Sequence, residues 1–228
     1  MQNLSNMANN SYMAKEALLL EDFKEKKNYM FLKRLIDIIG SFIGIFLLGF
    51  VFIVTAIAIK LDDPKGPVFF AQKRVGLNGK EFNMFKFRSM VTNAEEKLEE
   101  LLRYNEIQGA MFKMKNDPRI TKVGRIIRKT SIDELPQLFN VLRGEMSLVG
   151  PRPPLPREVK EYTDYDMQRL FVVPGCTGLW QVSGRSSIGF DEMVNLDLQY
   201  IAKRSIWFDL KIIIKTVFVL LLNKDDAY

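Results

Sequence analysis

Apolar residues crowd into one stretch, Leu35 to Ile59, in which Asp37 is the single charge. A helix of about 25 residues would extend ~37 Å, enough to reach across a bilayer core. Lys24, Lys26, Lys27, Lys33 and Arg34 precede the run; Lys60, Lys65, Lys73 and Arg74 follow it. Lysine and arginine favour the cytoplasmic side of a membrane. One straight span would put one cluster outside, whereas a re-entrant hairpin keeps both inside. Gly40, Gly44 and Gly49 could ease a bend or serve helix packing. Both geometries stay open on this pattern.

The pattern then changes period. Pro67 to Val75 and Lys80 to Phe87 alternate apolar and polar residues around Asn78-Gly79, which predicts a β-hairpin with a tight turn. Thr92 to Tyr104 carries Ala94, Leu98, Leu101 and Leu102 on one helical face. Asp117-Pro118 is expected to open another helix running to Lys129, with Lys122, Arg125 and Lys129 sharing a face. Such a helix suits an anionic membrane surface or, equally, a solvated face on a core helix. Trp207 to Leu222 is apolar but broken by Asp209, Lys211 and Lys215, so an interfacial or docking helix fits better than a span. Gly144 to Pro156 and Pro174 to Gly189 read as loops held close to something, since apolar residues are interleaved throughout. Met1 to Lys27 is a polar lead-in with a short helix expected over Ala14 to Lys26. It does not read as a signal peptide.

Composition narrows the chemistry. At 228 residues, 47% hydrophobic and 26% charged, the chain suits one domain with a real core. A net charge of +6 points to anionic partners. The basic residues are spread along the chain and match no nucleic-acid module, so nucleic acid is not an expected partner. The absence of histidine excludes a Ser-His-Asp triad and any His-ligated metal. A metal would have to sit on carboxylates, which suits a hard cation such as magnesium. Cys176, alone, makes an intrachain disulfide impossible and reads as a packed small residue.

The candidate chemistry lies in Ser131-Ile132-Asp133-Glu134-Leu135-Pro136. Ser131 and Glu134 have the spacing of a capping box, in which both acids merely start a helix. The same geometry would keep a carboxylate ionised at the positive end of a helix dipole. An ionised aspartate can attack phosphorus directly and needs no general base. Arginines suited to gripping phosphate oxygens stand nearby: Arg128, Arg152 between Pro151 and Pro153, and Arg185 beside Gly184.

The strings KRLIDIIGSFIGIFLL, FKFRSM, SIDELPQLFNVLRGEMSLVGPRPP, PGCTGLWQVSGRS and FDLKIIIKT closely resemble the bacterial sugar transferase family, the monotopic polyprenyl-phosphate phosphoglycosyl transferases. The likeness runs from Lys33 to Leu222. It implies an α+β, mostly helical fold: a membrane-inserted, re-entrant helix over residues 29–60 follows a lead-in over 1–28. A catalytic domain over 61–228 would rest on the membrane surface, with amphipathic helices around the site. The implied activity moves a hexose 1-phosphate from a UDP-sugar to undecaprenyl phosphate. Asp133 would hold the phosphosugar covalently, UMP would leave, and Asp133 with Glu134 would bind Mg2+. Arg128, Arg152 and Arg185 match the phosphate-contacting arginines, Pro151 and Pro153 flank one of them, and Asp209 matches the late acidic position. Asp209 also reads as a routine cap for the last helix. The implied setting is the bacterial cell membrane, active site on the cytoplasmic face, in exopolysaccharide or capsule synthesis, with UDP-galactose or UDP-glucose as donor. The exposed N-terminal segment would serve a homodimer. Relatives with a re-entrant helix bend at a Ser-Pro pair, where this chain has Gly49-Phe50. Larger relatives add N-terminal transmembrane helices and a regulatory domain, and only a polar lead-in stands in their place. The competing reading is a non-catalytic, membrane-associated module binding anionic lipid or a partner of a polysaccharide assembly system.

Overall fold

In the computed structural model the apolar run folds as two helices, α1 (Lys27–Leu47) and α2 (Gly49–Asp62). They meet at Leu48 with a bend of 60°. The residues described are 27–94, 96–104, 114, 116–184 and 188–222; the helix expected over Ala14 to Lys26 and the side chain of Arg185 lie outside them. Among the described residues no single helix is long and apolar enough to cross a membrane, and only the bent pair together has the length and composition.

The three glycines divide their roles. A methyl group on Gly40 would lie 2.8 Å from Leu148 Cδ1, and one on Gly44 would lie 3.2 Å from Leu138 Cδ1. These two let α1 pack close against the rest of the protein. Gly49 has nothing within 4 Å of where a Cβ would be, and it stands at the bend, where glycine is a usual cause of a kink.

Polar side chains fix α1 in place. The buried Asp37 carboxylate accepts hydrogen bonds from Ser147 Oγ (3.0 Å) and the Leu148 N–H (2.9 Å). Arg34 donates to the carbonyls of Val141 (2.6 Å) and Leu142 (2.8 Å), at the end of helix α4 (Gln137–Arg143). The Val141 carbonyl also accepts from the Gly144 N–H at 3.0 Å, and Arg34 adds a second donor there while satisfying Leu142 at the helix end.

The hairpin forms as expected, with β1 (Phe69–Val75) antiparallel to β2 (Glu81–Phe87). Its turn is longer than the two residues that Asn-Gly suggests. Val75 pairs with Glu81, and Gly76 donates its N–H to the Lys80 carbonyl across a five-residue connection. Asn78 (φ 54°) and Gly79 (φ 77°) both take the left-handed conformation that suits this pair. A second, parallel pair joins β3 (Ser147–Val149) to β4 (Gly175–Thr177).

Two expected helices are shorter. Thr92 to Tyr104 yields one α-turn, Leu98–Leu101, followed by a 3-10 turn. Asp117-Pro118 does not open a helix. Asp117 instead accepts from the Arg119 N–H (3.0 Å) and guanidinium (2.6 Å), which closes a local turn that competes with helix. Helix α3 (Lys122–Lys129) starts after Thr121, whose Oγ1 accepts from the Gly124 N–H at 2.9 Å. A Cβ on Gly124 would run into the Ser89 carbonyl. Gly124→Ala is therefore expected to destabilise the protein by roughly 1–3 kcal/mol, read as a lower melting temperature in detergent. An unchanged melting curve would mean that the Ser89 strand end yields freely.

The main core lies between α5 (Phe190–Lys203), α6 (Ile206–Leu222) and β3, around Val149, Val194, Leu198, Tyr200, Ile201 and Ile212. A smaller cluster of Ile59, Phe87 and Ile127 joins α2, β2 and α3. The acidic segment runs between α3 and α4, so each of its flanking helices packs against one leg of the bent pair.

Candidate active site

The chain leaves α3 through Ser131, a non-glycine residue with φ 55°. Ile132–Glu134 then forms a single 3-10 turn, and α4 begins only after Pro136. The capping-box reading fails here. Ser131 makes no side-chain cap, and the Glu134 carboxylate accepts from Lys86 Nζ at 2.7 Å. The helix-dipole argument fails with it, because the acids stand in an isolated turn and Pro136 separates them from α4. Strained left-handed residues such as Ser131 persist where the surroundings impose them, often beside functional groups.

Asp133 is 7% exposed. Burial raises its pKa to about 6, with the charge of Glu134 adding and the Lys86 and Arg128 cations opposing. At neutral pH the carboxylate is thus mostly ionised yet poorly hydrated, which suits a nucleophile. Glu134 keeps 44% of its side chain open to the cleft. Burial would raise its pKa, but Lys86, Arg152 and Arg74 outweigh it and hold the carboxyl below its ordinary range. The two adjacent acids are pushed in opposite directions.

Asn140 sets the position of Lys86. Its Oδ1 accepts from the Phe85 N–H (2.9 Å) and its Nδ2 donates to the Asn83 carbonyl (2.7 Å). These bonds fasten β2 to α4 just before Lys86 and so bring it to the acidic turn.

The loop after β3 supplies the opposite wall. Arg74 of β1 donates to the Pro153 carbonyl (2.9 Å), and the Val75 N–H donates to the Pro154 carbonyl (2.9 Å). Burial and the neighbouring Arg152 push the Arg74 pKa down to about 9. Arg152 pairs with the buried Glu158 at 3.3 Å. Behind it, Arg169 donates to Asp197 Oδ2 (2.8 Å from Nε), to Tyr162 Oη (2.7 Å) and to the Arg152 carbonyl (3.2 Å). Arg128, in the last turn of α3, lines the same cleft and makes no ion pair among the described residues.

The expected site residues therefore divide. Asp133, Glu134, Arg128, Arg152 and Pro153 line one cleft of about 2580 Å3. Pro151 stands behind it, its carbonyl accepting from the Gly175 N–H. Arg185 lies outside the described residues, although its neighbours Gln181 and Ile188 line the cleft. Asp209 is elsewhere. It is buried and accepts from Tyr29 (2.9 Å), Lys33 (3.1 Å) and Tyr200 (2.8 Å), which joins α1 to α6. Its being acidic serves that anchor. Sequence reasoning missed Lys86 and Arg74. The string FKFRSM held the signal for Lys86, a cation in the last stretch of a half-buried strand. Cys176 also lines the cleft, but burial and the nearby Glu134 charge push its thiol pKa up, so it is no nucleophile.

A family model described as bacterial sugar transferase matches residues 28–223, which include every element of this cleft. The chain belongs to the bacterial sugar transferase family. Among similar proteins, a galactosyl transferase, CpsE, of Streptococcus agalactiae is 52% identical over 87% of the chain and 44% of its own length. An undecaprenyl-phosphate galactose phosphotransferase of Salmonella typhimurium is 46% identical over 92% of the chain and 44% of its own length. The exopolysaccharide production protein ExoY of Rhizobium meliloti is 40% identical over 84% of the chain and 86% of its own length. This sugar transferase chain thus spans under half of the first two relatives and most of the third.

Proposed function

We propose that the chain transfers a hexose 1-phosphate from a UDP-hexose to undecaprenyl phosphate through a phosphosugar held on Asp133, initiating exopolysaccharide or capsule synthesis. The observation that carries this reading is a buried, cation-flanked aspartate facing a cleft walled by Arg74, Arg128 and Arg152. In the first step a carboxylate oxygen of Asp133 attacks the β-phosphorus. The Oδ–P bond forms as the anhydride P–O bond breaks, and UMP leaves with the bridging oxygen and its electron pair. In the second step an oxygen of undecaprenyl phosphate attacks the same phosphorus. The P–Oδ bond breaks, Asp133 leaves as carboxylate, and undecaprenyl diphosphate hexose results. Both nucleophiles are anions, so neither step needs a general base. Lys86 and the arginines offset the charge that gathers as anion meets anion.

Asp133 and Glu134 also suit magnesium. Among the described residues no three acidic, cysteine or histidine side chains gather at one point. A cation on this pair would complete its shell with water and diphosphate oxygens, the usual arrangement for magnesium. Bound there, it would supply charge neutralisation of the diphosphate.

On this reading α1 and α2 enter the cytoplasmic leaflet as a re-entrant element. Phe46 and Phe50 flank the bend and are 79% and 77% exposed, and Phe42, Ile53 and Leu61 extend the same apolar surface. Contiguous exposed apolar area of this kind needs a lipid or protein cover. Three similar proteins are named for galactose and one for glucose, so UDP-galactose leads and UDP-glucose follows.

The test is UMP release from a panel of UDP-sugars, with undecaprenyl phosphate and magnesium each present or omitted. Release from one sugar that depends on both additions is the expected result. No release from any donor, by protein shown to be folded in detergent, would move the assignment to a non-catalytic binding module.

A further inference from the structure

Basic residues line the cleft from β1, β2, α3 and the segment after β3, among them Arg74, Lys86, Arg128 and Arg152. Part of its apolar lining is a continuous stretch from α4, β3 and α6: Leu138, Leu148, Ile213, Val217 and Leu220, with Thr216 among them. The four α6 positions have spacings of 3, 4 and 7 from the first, so they form one continuous helical face. Thr216 is pinned in the middle of that face, its hydroxyl 2.8 Å from Thr177 Oγ1 of β4. Val217 and Leu220, further along, are 51% and 40% exposed. The apolar lining therefore begins in the same cleft as Asp133 and continues onto the outer apolar surface of α6. Leu138 and Leu148 are backed by Gly44 and Gly40 of α1, so the wall rests directly on the first leg of the bent pair.

We infer that this face of α6, with Leu138 and Leu148, is the exit groove for the polyprenyl chain of the acceptor, seating its phosphate-proximal isoprene units. The inference rests on the transferase reading above. A UDP-sugar has no apolar chain to place against these five apolar positions, whereas an amphiphile with an anionic head matches both them and the nearby arginines. The phosphate would face the arginines while the hydrocarbon leaves along Val217 and Leu220 toward the surface that α1 and α6 share. Seating the first isoprenes fixes the direction from which the acceptor phosphate approaches, so chain recognition would contribute to the second step by orientation.

The test compares undecaprenyl phosphate with dimethylallyl phosphate, a five-carbon acceptor, using full-length protein in detergent micelles. Val217→Trp fills the groove, and Leu220→Glu places a charge on it. Each is expected to lower kcat/KM for undecaprenyl phosphate by about tenfold or more, as overfilling or charging an apolar subsite does. The ratio of kcat/KM between the long and short acceptors should fall with it. Ile214→Trp adds the same bulk on the outward face of α6, where Ile214 does not line the cleft, and should leave that ratio alone. The inference is overturned if the variants slow both acceptors equally, if neither changes the ratio, or if Ile214→Trp changes it as much. It is also overturned if wild-type protein uses both acceptors equally well. Absence of any acceptor-dependent UMP release from wild-type protein would instead remove the transferase reading itself.

Discussion

Replacing Asp133 by asparagine is expected to abolish turnover and covalent capture of the phosphosugar while leaving the protein folded. Asparagine keeps the shape of the side chain and removes the attacking carboxylate, a loss of roughly 10^4-fold or more when a nucleophile is deleted. Intact-protein mass after mixing with the UDP-sugar reads the adduct directly, and UMP release reads turnover. Retained labelling would assign the nucleophile to another group. Stability should move the other way. The Asp133 pKa is raised from 3.8 to about 6 because burial disfavours the charge. The folded state therefore binds this proton more tightly than the unfolded chain does, and the group opposes folding increasingly as pH rises through that window. In chelator at pH 7.5, Asp133→Asn should melt at or above the wild-type temperature. A clear drop would mean that the carboxylate is held by bonds that only its charged form can make.

The second large effect is expected behind the site. Arg169 and Asp197 are each 1% exposed at the side chain and lie 2.7 Å apart. Removing one partner of such a pair leaves a buried charge without compensation, at a cost of about 3–5 kcal/mol. Arg169→Ala should therefore lower the melting temperature sharply and also slow turnover, because Arg169 holds the Arg152 carbonyl and the Tyr162 hydroxyl. Arg169→Lys should recover little, since an ammonium cannot bridge three acceptors as a planar guanidinium does. Combining Arg169→Met with Asp197→Leu should restore part of the stability without restoring turnover. If the double replacement also restored turnover, Arg152 would not depend on this pair for its position.

Much of the fold was legible where a pattern is local. The alternation on either side of Asn78-Gly79 gave both strands, since strand period and turn chemistry are carried by the same few residues. The break near Gly49 was not legible from the pattern alone, since Gly40, Gly44 and Gly49 were all candidates and only the packing of the first two against Leu148 and Leu138 sets Gly49 apart. Helices at Thr92 and Asp117 were overestimated because side chains there take partners that helical spacing does not reveal, as Asp117 does with Arg119. In the site, Arg152 stood out because its segment is dense in glycine and proline, and the acidic pair stood out as adjacent carboxylates just ahead of Pro136. Lys86 could not be found by spacing. It reaches Glu134 across 48 positions of chain, and only the Asn140 bonds between β2 and α4 bring it there. The surroundings of Asp209 were illegible for the converse reason: an acid at the start of a helix looks the same whether it faces a ligand or a buried lysine.

The polar anchors of α1 also set a clock on biosynthesis. Asp37 finds Ser147 only 110 positions later, and Tyr29 finds Asp209 after 180. At a synthesis rate of roughly 5–20 residues per second, the first of these partners emerges some 5–20 seconds after α1 does. For that interval Lys33, Arg34 and Asp37 of α1 lack the distant partners that later fix them, and only Lys33 stands near the Asp37 carboxylate. The buried seat of Asp37 is therefore completed only when β3 is made, late relative to the helix that carries it.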